Sequence, residues 1–470
     1  MAVEHRSTDS KQWRQIYTIF TVSLNTITTG QFMSWPSPTI PILRQQGVSM
    51  EEATYLTIIP PVTAIIASPL VGKLIDWIGR RPAILSVTIS YCICWILIAL
   101  AANTTISTTD FTFWYLPRPL YIYYTARVFN GIGDACVFTT IPCYVTEIST
   151  PSIRGTWGTS VAFSIFIGQF LANIIGAYLS IAHTAYLSLL IPVMFLLNYY
   201  FIKETPYYLL MKGRVDDARS SLQWLRNTSA TYVEEELTQL NNDVQRQLSE
   251  PGRYYDLIKI SSNRKACLIG ILTRACQQFS GINAFTVYAQ TIFMESGSDL
   301  SPSMSAIVFT GILLICTFVT SFILDILGRR RAMLISCTGS SVVLFIQTAF
   351  FYIQDETDIT LNGFQMFPLI SMVIFVIFYS IGLGLVPTSI LGELFSSSVK
   401  SKAFVVMNIF YGFSMASSAM VFAFCLDIAG LYAAFLCVAI CSAISILISY
   451  WFVPETKGKT LEEIQQSFKK

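Results

Sequence analysis

Three amide side chains lie close together in an otherwise apolar stretch of the chain, at Gln277, Gln278 and Asn283. Amides donate and accept hydrogen bonds, and at membrane depth they are costly unless satisfied, so they mark either a cavity or a contact between helices. On a helix, Gln277 shares a face with Tyr288, whereas Gln278 and Asn283 point to opposite sides of that face. A straight helix therefore cannot aim all three amides at one ligand, but Ser280-Gly281 offers a place to bend or unwind.

A second group of polar residues, acids matched with bases at the ends of apolar runs, occurs twice in the chain. Its members are Asp76, Arg80, Arg81, Glu147, Arg154 and Glu204, repeated at nearly one offset as Asp325, Arg329, Arg330, Glu393, Lys400 and Glu455. The repetition indicates a duplicated chain with two halves of similar build. The basic residues alone could set the orientation in the membrane, because loops on the cytoplasmic side carry an excess of Lys and Arg. This positive-inside rule does not require matched acids. We therefore expect a charge network that stabilises the state closed on the cytoplasmic side and acts as a gate.

The composition is that of a membrane protein. The chain has 470 residues, of which 53% are hydrophobic and only 12% are charged, against roughly 25% charged in ordinary soluble domains. Its mean hydropathy is +0.57. The net charge of +2 gives no indication of a nucleic-acid partner.

Twelve apolar stretches are long enough to cross a bilayer as helices, since about 20 residues span the hydrocarbon core and lipid offers no partner to unpaired backbone groups. They cover residues 16–38, 53–72, 82–102, 119–142, 156–180, 185–203, 267–290, 304–324, 332–353, 365–391, 403–426 and 431–453. The positive-inside rule places both termini in the cytoplasm. With that orientation only Arg44 and Arg118 lie outside, and only Arg127 and Arg274 lie within spans.

The spans divide the chain into two membrane domains and three cytoplasmic segments, so the predicted fold class is all-α, with twelve transmembrane helices in two six-helix bundles. The expected divisions are a cytoplasmic N-terminus at 1–15, an N-terminal six-helix bundle at 16–203, a cytoplasmic helical linker at 204–266, a C-terminal six-helix bundle at 267–453 and a cytoplasmic tail at 454–470. The linker is too polar to span a membrane.

Several kinds of site are not indicated. The eleven cysteines lie in or next to apolar runs without the spacing of a metal site, and the two histidines lie near chain or helix ends, so we expect no metal and no cofactor. No nucleophile–base pair or pair of carboxylates is placed near a cavity, which argues against an enzyme. Asn103-Thr-Thr faces outward and is a candidate glycosylation site.

The motifs together resemble the sugar porter family of the major facilitator superfamily. They are GKLIDWIGRR from Gly72, IPCYVTEISTPSIRG from Ile141, QQFSGIN from Gln277, DILGRR from Asp325 and PETKGKT from Pro454. The segment KETPYYLLMKGR is similar to the facilitated trehalose transporter branch of that family. The resemblance implies two bundles around a midplane cavity, alternating access by rocking, and sugar hydroxyls bound by Gln277, Gln278 and Asn283.

The chain departs from the family's pattern at the substrate site. Ala162 stands where span five often has a glutamine, with Gln169 seven residues further along, and Thr388 and Gly412 replace the tryptophans of spans ten and eleven. We expect Tyr288, Gln169 and Thr388 to line a pocket that is wider or differently shaped. A hexose, a disaccharide such as trehalose, and a polyol all stay open as substrates.

Span ten contains Gly382, Gly384 and Pro387 near its middle. Proline removes a backbone hydrogen bond and the glycines loosen the turn, so we expect this helix to break there and to serve as the hinge of a moving gate.

Energy coupling depends on acids within the membrane. The resemblance to the family implies that a proton symporter would have an acidic residue in span one. This chain has no acidic residue in span one, which favours downhill facilitated transport. Asp134, in a polar stripe with Arg127 and Asn130, keeps a proton-coupled symporter open, and a non-transporting sugar sensor is a further alternative. We expect a monomer in the plasma membrane, with a sugar and the lipid bilayer as its partners and no nucleic acid.

Overall fold

The computed structural model describes residues 2–104, 119–150, 153, 160–228, 230–249, 254–296, 300–357, 363–395, 397–457 and 463. Helices joined by short turns form most of this part of the chain. No strand occurs in these ranges, and the predicted all-α class is confirmed. Helices satisfy their own backbone groups, as a chain in lipid must.

Besides a 3-10 helix at Tyr199–Phe201, the first half of the chain contains seven described α-helices. They are α1 (Ala2–Ser34), α2 (Pro36–Gln45), α3 (Met50–Ile78), α4 (Arg80–Asn103), α5 (Pro119–Ile148), α6 (Ser160–Tyr178) and α7 (Ile181–Asn198). The N-terminus of α3 has a capping box, in which Ser49 and Glu52 each bond the other's backbone N–H.

The linker and the second half contain the remaining described helices. The linker has α8 (Pro206–Met211), α9 (Val215–Arg226), α10 (Ala230–Ser249) and α11 (Asp256–Lys259). The first three pack around an apolar cluster of their own, whereas Leu257 of α11 belongs to the core of the second half. The second half has α12 (Ser261–Phe279), α13 (Ile282–Val287), α14 (Ala289–Glu295), α15 (Pro302–Leu327), α16 (Arg329–Glu356), α17 (Phe367–Ile381), α18 (Val386–Leu394) and α19 (Ser397–Phe452).

Eight of the described segments are long and apolar enough to cross a membrane, judged by length and composition. The twelve predicted spans differ from this number for local reasons. The last two spans form one helix, α19, bent at Ala429–Gly430, while α6 is shorter and span seven is divided among α12, α13 and α14.

Span one, in α1, is rich in polar residues. Their hydroxyls, for example those of Thr21 and Ser23, donate to carbonyls one turn earlier and so need no water.

Helices α1 and α6 cross at a pair of glycines. A Cβ atom placed on Gly168 would lie 1.9 Å from the carbonyl oxygen of Ile27, and one on Gly30 would lie 1.9 Å from that of Ile165. Only a residue without a Cβ allows the two backbones to approach this closely, as at other small-residue crossings in membranes.

Gly168→Ala should therefore destabilise the first half by about 1–3 kcal/mol, because neither backbone can move away without disturbing its neighbours. The matched control is Gly72→Ala, whose added Cβ would meet only a Val405 methyl at 3.5 Å. Thermal unfolding of the purified protein in detergent measures both. Equal midpoints for the two variants would contradict the close crossing.

The two halves meet along two pairs of helices, α3 with α19 and α6 with α15. We call the end of the bundles that carries α8 to α11 the linker side, and the opposite end the far side. At the far side Arg44 lies 3.6 Å from Glu295, and the Tyr288 hydroxyl donates to that of Thr54 at 3.4 Å. At the linker side, every ion pair between described residues lies within the first half or the linker. In this conformation the far-side polar contacts join the halves in addition to the packing of the paired helices.

Candidate functional site

The segment with three amides is interrupted at the expected place. Helix α12 ends at Phe279, and α13 begins at Ile282. Between them Gly281 has a φ of +94°, which a glycine adopts without strain. The break changes the direction of the chain between Gln278 and Asn283, so that both can face α19.

Gln277 connects this break to a second one. Its Nε2 donates to the carbonyl oxygens of Leu383 and Gly384 at 2.9 and 3.2 Å, and its Oε1 accepts from Arg274 at 3.0 Å. The two carbonyls belong to the turn that separates α17 from α18. In this conformation the Gln277 amide is bound to protein groups and holds the two interrupted helices together.

Gln278 and Asn283 both lie against α19. Gln278 is buried, and its amide lies by the hydroxyl of Tyr411, while Asn283 is half-buried and donates to the carbonyl of Met415 at 3.2 Å. Neither amide is turned to the outside of the bundle. The structure thus brings Gln277, Gln278 and Asn283 together between α12, α13, α19 and the turn before α18.

Two tyrosines and an arginine of this region were not predicted as site residues. The Arg274 guanidinium lies 4.9 Å from the centre of the Tyr411 ring, and the buried Tyr379 lies beside Gln277. Tyr411 also packs edge-to-face against Phe138 of α5, with ring centres 5.8 Å apart, and so reaches the first half. A charge within a predicted span was the available signal for Arg274, but nothing in the spacing indicated Tyr411.

The other predicted lining residues lie further apart. Tyr288 is fully buried between Thr54 and Phe422, at the far-side contact of the halves. Gln169 is buried on α6, where its Nε2 lies 3.8 Å from the Met33 sulfur and its Oε1 has no hydrogen-bond partner among the described residues. Thr388 is exposed on α18. Within the part of the chain that the structure describes, no hydrogen bond joins these three residues to the three amides.

The structure describes the surroundings of only one of two positions where the chain departs from the family's pattern. The side chain of Ala162 lies outside the described residues. Gly412 lies where α19 crosses α3, and a Cβ there would be 2.9 Å from Ile65 and 3.2 Å from the carbonyl of Pro61. A tryptophan could not fit at this crossing, so the glycine follows from the packing of the two halves.

The predicted hinge coincides with a break in span ten. Helix α17 ends at Ile381, residues 382–385 form a turn, and α18 begins at Val386 with Pro387 in its first turn. The turn is held from two sides, because Ser336 accepts the N–H of Leu383 while Gln277 binds its carbonyls. Gly382 and Gly384 lie within this turn, and their role in a gate stays a prediction.

The first charge cluster joins three segments of the first half. Arg80 Nε and Nη2 both donate to Glu147 Oε1, at 3.2 and 3.1 Å, and the Thr205 hydroxyl donates to the other oxygen of Glu147. Asp76, 3.7 Å from Arg80, completes the group at the surface. The cluster ties α4, α5 and the start of the linker together within one half. Arg154 lies outside the described residues.

Each half also places a glutamate at the N-terminus of a helix. Glu204 accepts the N–H groups of Arg80 and Arg81, and Glu455 accepts those of Arg329 and Arg330. The positive end of a helix stabilises a carboxylate in this position. The side chains of Asp325, Glu393 and Lys400 lie outside the described residues. No ion pair joins the described members of the two clusters, so a gate between the halves stays a prediction for another conformation.

The two capping glutamates differ in pKa. Burial raises the pKa of Glu204, and the N–H groups of Thr205, Arg81 and Arg80 offset this only in part. At Glu455 burial acts in the same direction, but the N–H groups of Lys457, Arg329 and Arg330 outweigh it and lower the pKa. The helix-capping interaction therefore stabilises the ionised carboxylate more strongly at Glu455 than at Glu204.

Asp134 lies in a polar network inside the first half. Its Oδ1 accepts from the Tyr91 hydroxyl at 2.7 Å and its Oδ2 from the Asn130 amide at 2.9 Å. Arg127 donates instead to main-chain carbonyls of α3 and α1. Asp134 thus has two hydrogen-bond donors but no ion pair among the described residues.

Asn103 ends α4 at the far side. Its side chain is exposed, and its amide donates to the Tyr186 hydroxyl at 2.8 Å. A glycan there would replace this contact.

A family model described as "Sugar (and other) transporter" matches residues 17–468. The facilitated trehalose transporter Tret1 of Bombyx mori is 29% identical over 468 residues, which cover 98% of this chain and 88% of that protein. Tret1 of Apis mellifera ligustica is 30% identical over 464 residues, which cover 97% of this chain and 88% of that protein.

Solved structures of sugar symporters have the same fold. The inward open conformation of the xylose transporter XylE from E. coli superposes with a TM-score of 0.77 at 20% identity, covering 96% of this chain and 99% of that chain. The major facilitator superfamily proton:xylose symporter XylE bound to 6-bromo-6-deoxy-D-glucose gives a TM-score of 0.75 at 20% identity, covering 98% of this chain and all of that chain. At these identities the similarity shows the fold alone.

Proposed function

The chain belongs to the sugar (and other) transporter family, and from this premise we propose that it carries a sugar such as a hexose or trehalose across a membrane by facilitated diffusion. The observation that supports this most directly is the group of Gln277, Gln278 and Asn283, held at two helix breaks inside the second half. Amides in such a place can donate to and accept from successive hydroxyls of one sugar. The Tret1 relatives, named as facilitated trehalose transporters, make trehalose the first substrate to test.

Transport would proceed by alternating access between two six-helix bundles, 16–203 and 267–453. The far-side contacts Arg44–Glu295 and Tyr288–Thr54 are a few weak polar interactions, of the kind that a cycle must break and remake. The breaks at 280–281 and 382–385 would let short segments move without unwinding a whole span.

Uptake by the purified chain in proteoliposomes tests the function. Labelled trehalose and glucose should equilibrate across the membrane without exceeding the outside concentration, and a protonophore should leave the initial rate unchanged. Binding without flux would instead indicate a sensor. Accumulation that the protonophore abolishes would indicate a symporter.

A proton-coupled symporter is the second candidate, because Asp134 is a buried carboxyl without an ion pair among the described residues. A proton is the simplest partner for such a group. Against it, span one has no acid, and Tyr91 and Asn130 already satisfy both oxygens of Asp134.

Asp134→Asn separates the two candidates. In a uniporter the amide keeps at least one of the two hydrogen bonds, so downhill uptake should stay within about threefold of the original rate, the effect of roughly 0.5–1 kcal/mol. In a symporter, uphill accumulation should disappear while exchange of labelled sugar persists. Initial rates with and without an imposed pH gradient measure both.

We further propose that the protein acts as a monomer in the plasma membrane, with the linker side in the cytoplasm and no enzymatic activity. The concentration of Lys and Arg at the linker side supports this orientation. Labelling single cysteines from outside cells, at Asn103 and at Gln223, would test it. Only the first should react in intact cells.

A further inference from the structure

A positive charge without a carboxylate lies beside the proposed sugar site. Arg274 lies in the C-terminal part of α12, where its Nη1 donates to Gln277 and its guanidinium covers the Tyr411 ring. Its Nε is buried without a hydrogen-bond partner, and no ion pair to Arg274 occurs among the described residues. An amide and an aromatic ring orient a guanidinium but do not neutralise it.

We propose that Arg274 makes this carrier selective for a sugar with an anionic group, a hexuronate, whose carboxylate the guanidinium binds directly. The proposal deepens the proposed function and rests on it. A lone charge within the membrane is costly, and an acidic substrate would supply the missing counter-charge each time it binds. Arginine presents several donors in a plane that matches a carboxylate, so the pairing is also geometrically specific.

The surroundings of Arg274 place it between the halves. Its neighbours Gln277 and Tyr379 are buried, and Tyr411 reaches Phe138 of the first half, whereas Arg274 itself is only half-buried. Its guanidinium thus lies among residues of the helices that carry or contact the amides. Gln278, by the same Tyr411 hydroxyl, is placed to bind the hydroxyls of the sugar whose carboxylate meets Arg274.

Asp134 is the carboxylate on the opposing face of the first half, and it does not fill this role here. Both its oxygens accept hydrogen bonds from side chains of its own half, Tyr91 and Asn130. Tyr411, whose ring lies under the Arg274 guanidinium, also contacts Phe138, which is on the same helix as Asp134. The arginine is therefore available to a ligand.

Competition in proteoliposomes tests the proposal. Glucuronate should inhibit uptake of labelled glucose by the unmodified chain at least about tenfold more strongly than unlabelled glucose does, as expected for one hydrogen-bonded charge pair. Labelled glucuronate should itself be taken up. In Arg274→Gln the ratio of glucuronate to glucose inhibition should fall by the same factor, measured against that variant's own glucose uptake, and Arg274→Lys should keep part of the preference. The control Arg331→Gln, an exposed arginine outside the site, should behave as the unmodified chain.

Three results would overturn or redirect the inference. If neutral sugars are carried but glucuronate neither competes nor enters, Arg274 does not select an anion. If Arg274→Gln reduces uptake of all sugars equally and Asp134→Asn/Arg274→Gln restores it, the arginine pairs with Asp134 instead, and the inference is wrong. If the unmodified chain carries no sugar of either kind, the proposed function itself fails. Competition on the unmodified chain decides the question even if a variant does not fold.

Discussion

Replacing Glu147 with alanine is expected to destabilise the first half of the chain by about 3 kcal/mol, the low end of the cost of breaking a buried ion pair, because Asp76 remains 3.7 Å from Arg80. The side chains of Arg80 and Glu147 are only 7% and 14% exposed, so water cannot take over the lost contact. The same change removes the acceptor of the Thr205 hydroxyl and frees the start of the linker. We expect a lower thermal midpoint and slower sugar uptake, measured on purified protein and in proteoliposomes.

The linker contains a matched control. Arg214 and Asp217 form an ion pair of 2.7 Å, but their side chains are 59% and 55% exposed. Arg214→Ala should therefore change stability by less than about 1 kcal/mol. If Glu147→Ala and Arg214→Ala shift the midpoint equally, burial does not decide the strength of the cluster. If Glu147→Ala leaves the midpoint unchanged but alters uptake alone, the cluster acts as a gate and not as a brace.

Gln277→Leu is expected to lower the maximal rate at least about tenfold, in addition to any rise in KM from a lost hydrogen bond to the sugar. Leucine would leave the carbonyls of Leu383 and Gly384 without their donor, at a cost of about 1–3 kcal/mol each. The turn between α17 and α18 would lose its connection to α12, so the two breaks could no longer move together. Initial rates over a range of sugar concentrations measure the two parameters separately.

Gln278→Leu is the contrasting variant, one residue along the same helix. Its amide lies by the Tyr411 hydroxyl and does not bind the turn, so its loss should act on sugar binding. We expect KM to rise about tenfold at a nearly unchanged maximal rate, because a sugar hydroxyl loses its partner in a buried site. The same kinetic change in both variants would contradict the division of roles between the neighbouring glutamines.

The two predictions concern different parts of one cycle. The Glu147 cluster holds helices together within a half, which keeps each bundle rigid, whereas Gln277 joins two places where helices are interrupted. A carrier that works by rocking needs both features, since stiff bundles transmit motion and broken helices absorb it. The duplicated capping glutamates, Glu204 and Glu455, show that each half anchors the start of a helix in the same way.

The amino-acid sequence by itself determined the membrane class, the duplication and the places where spans seven and ten are interrupted. These features depend on local properties: the length of an apolar run, the charges at its ends, and the glycines and proline that a helix does not tolerate well. They could be predicted without knowing which segments touch. The division of α19 at Ala429–Gly430 is a similar local event.

The tertiary structure alone decided which partner each polar side chain has. Gln277 binds carbonyls 106 and 107 residues away, and Glu204 reaches the N-terminus of a helix more than 120 residues before it. Neither contact has a sequence signal, because it depends on how packed helices bring distant backbone groups to one place. Arg274 could be identified from the sequence only as a charged residue within a span. Helix packing places it beside Gln277 and over the ring of Tyr411, which is 137 residues further along the chain.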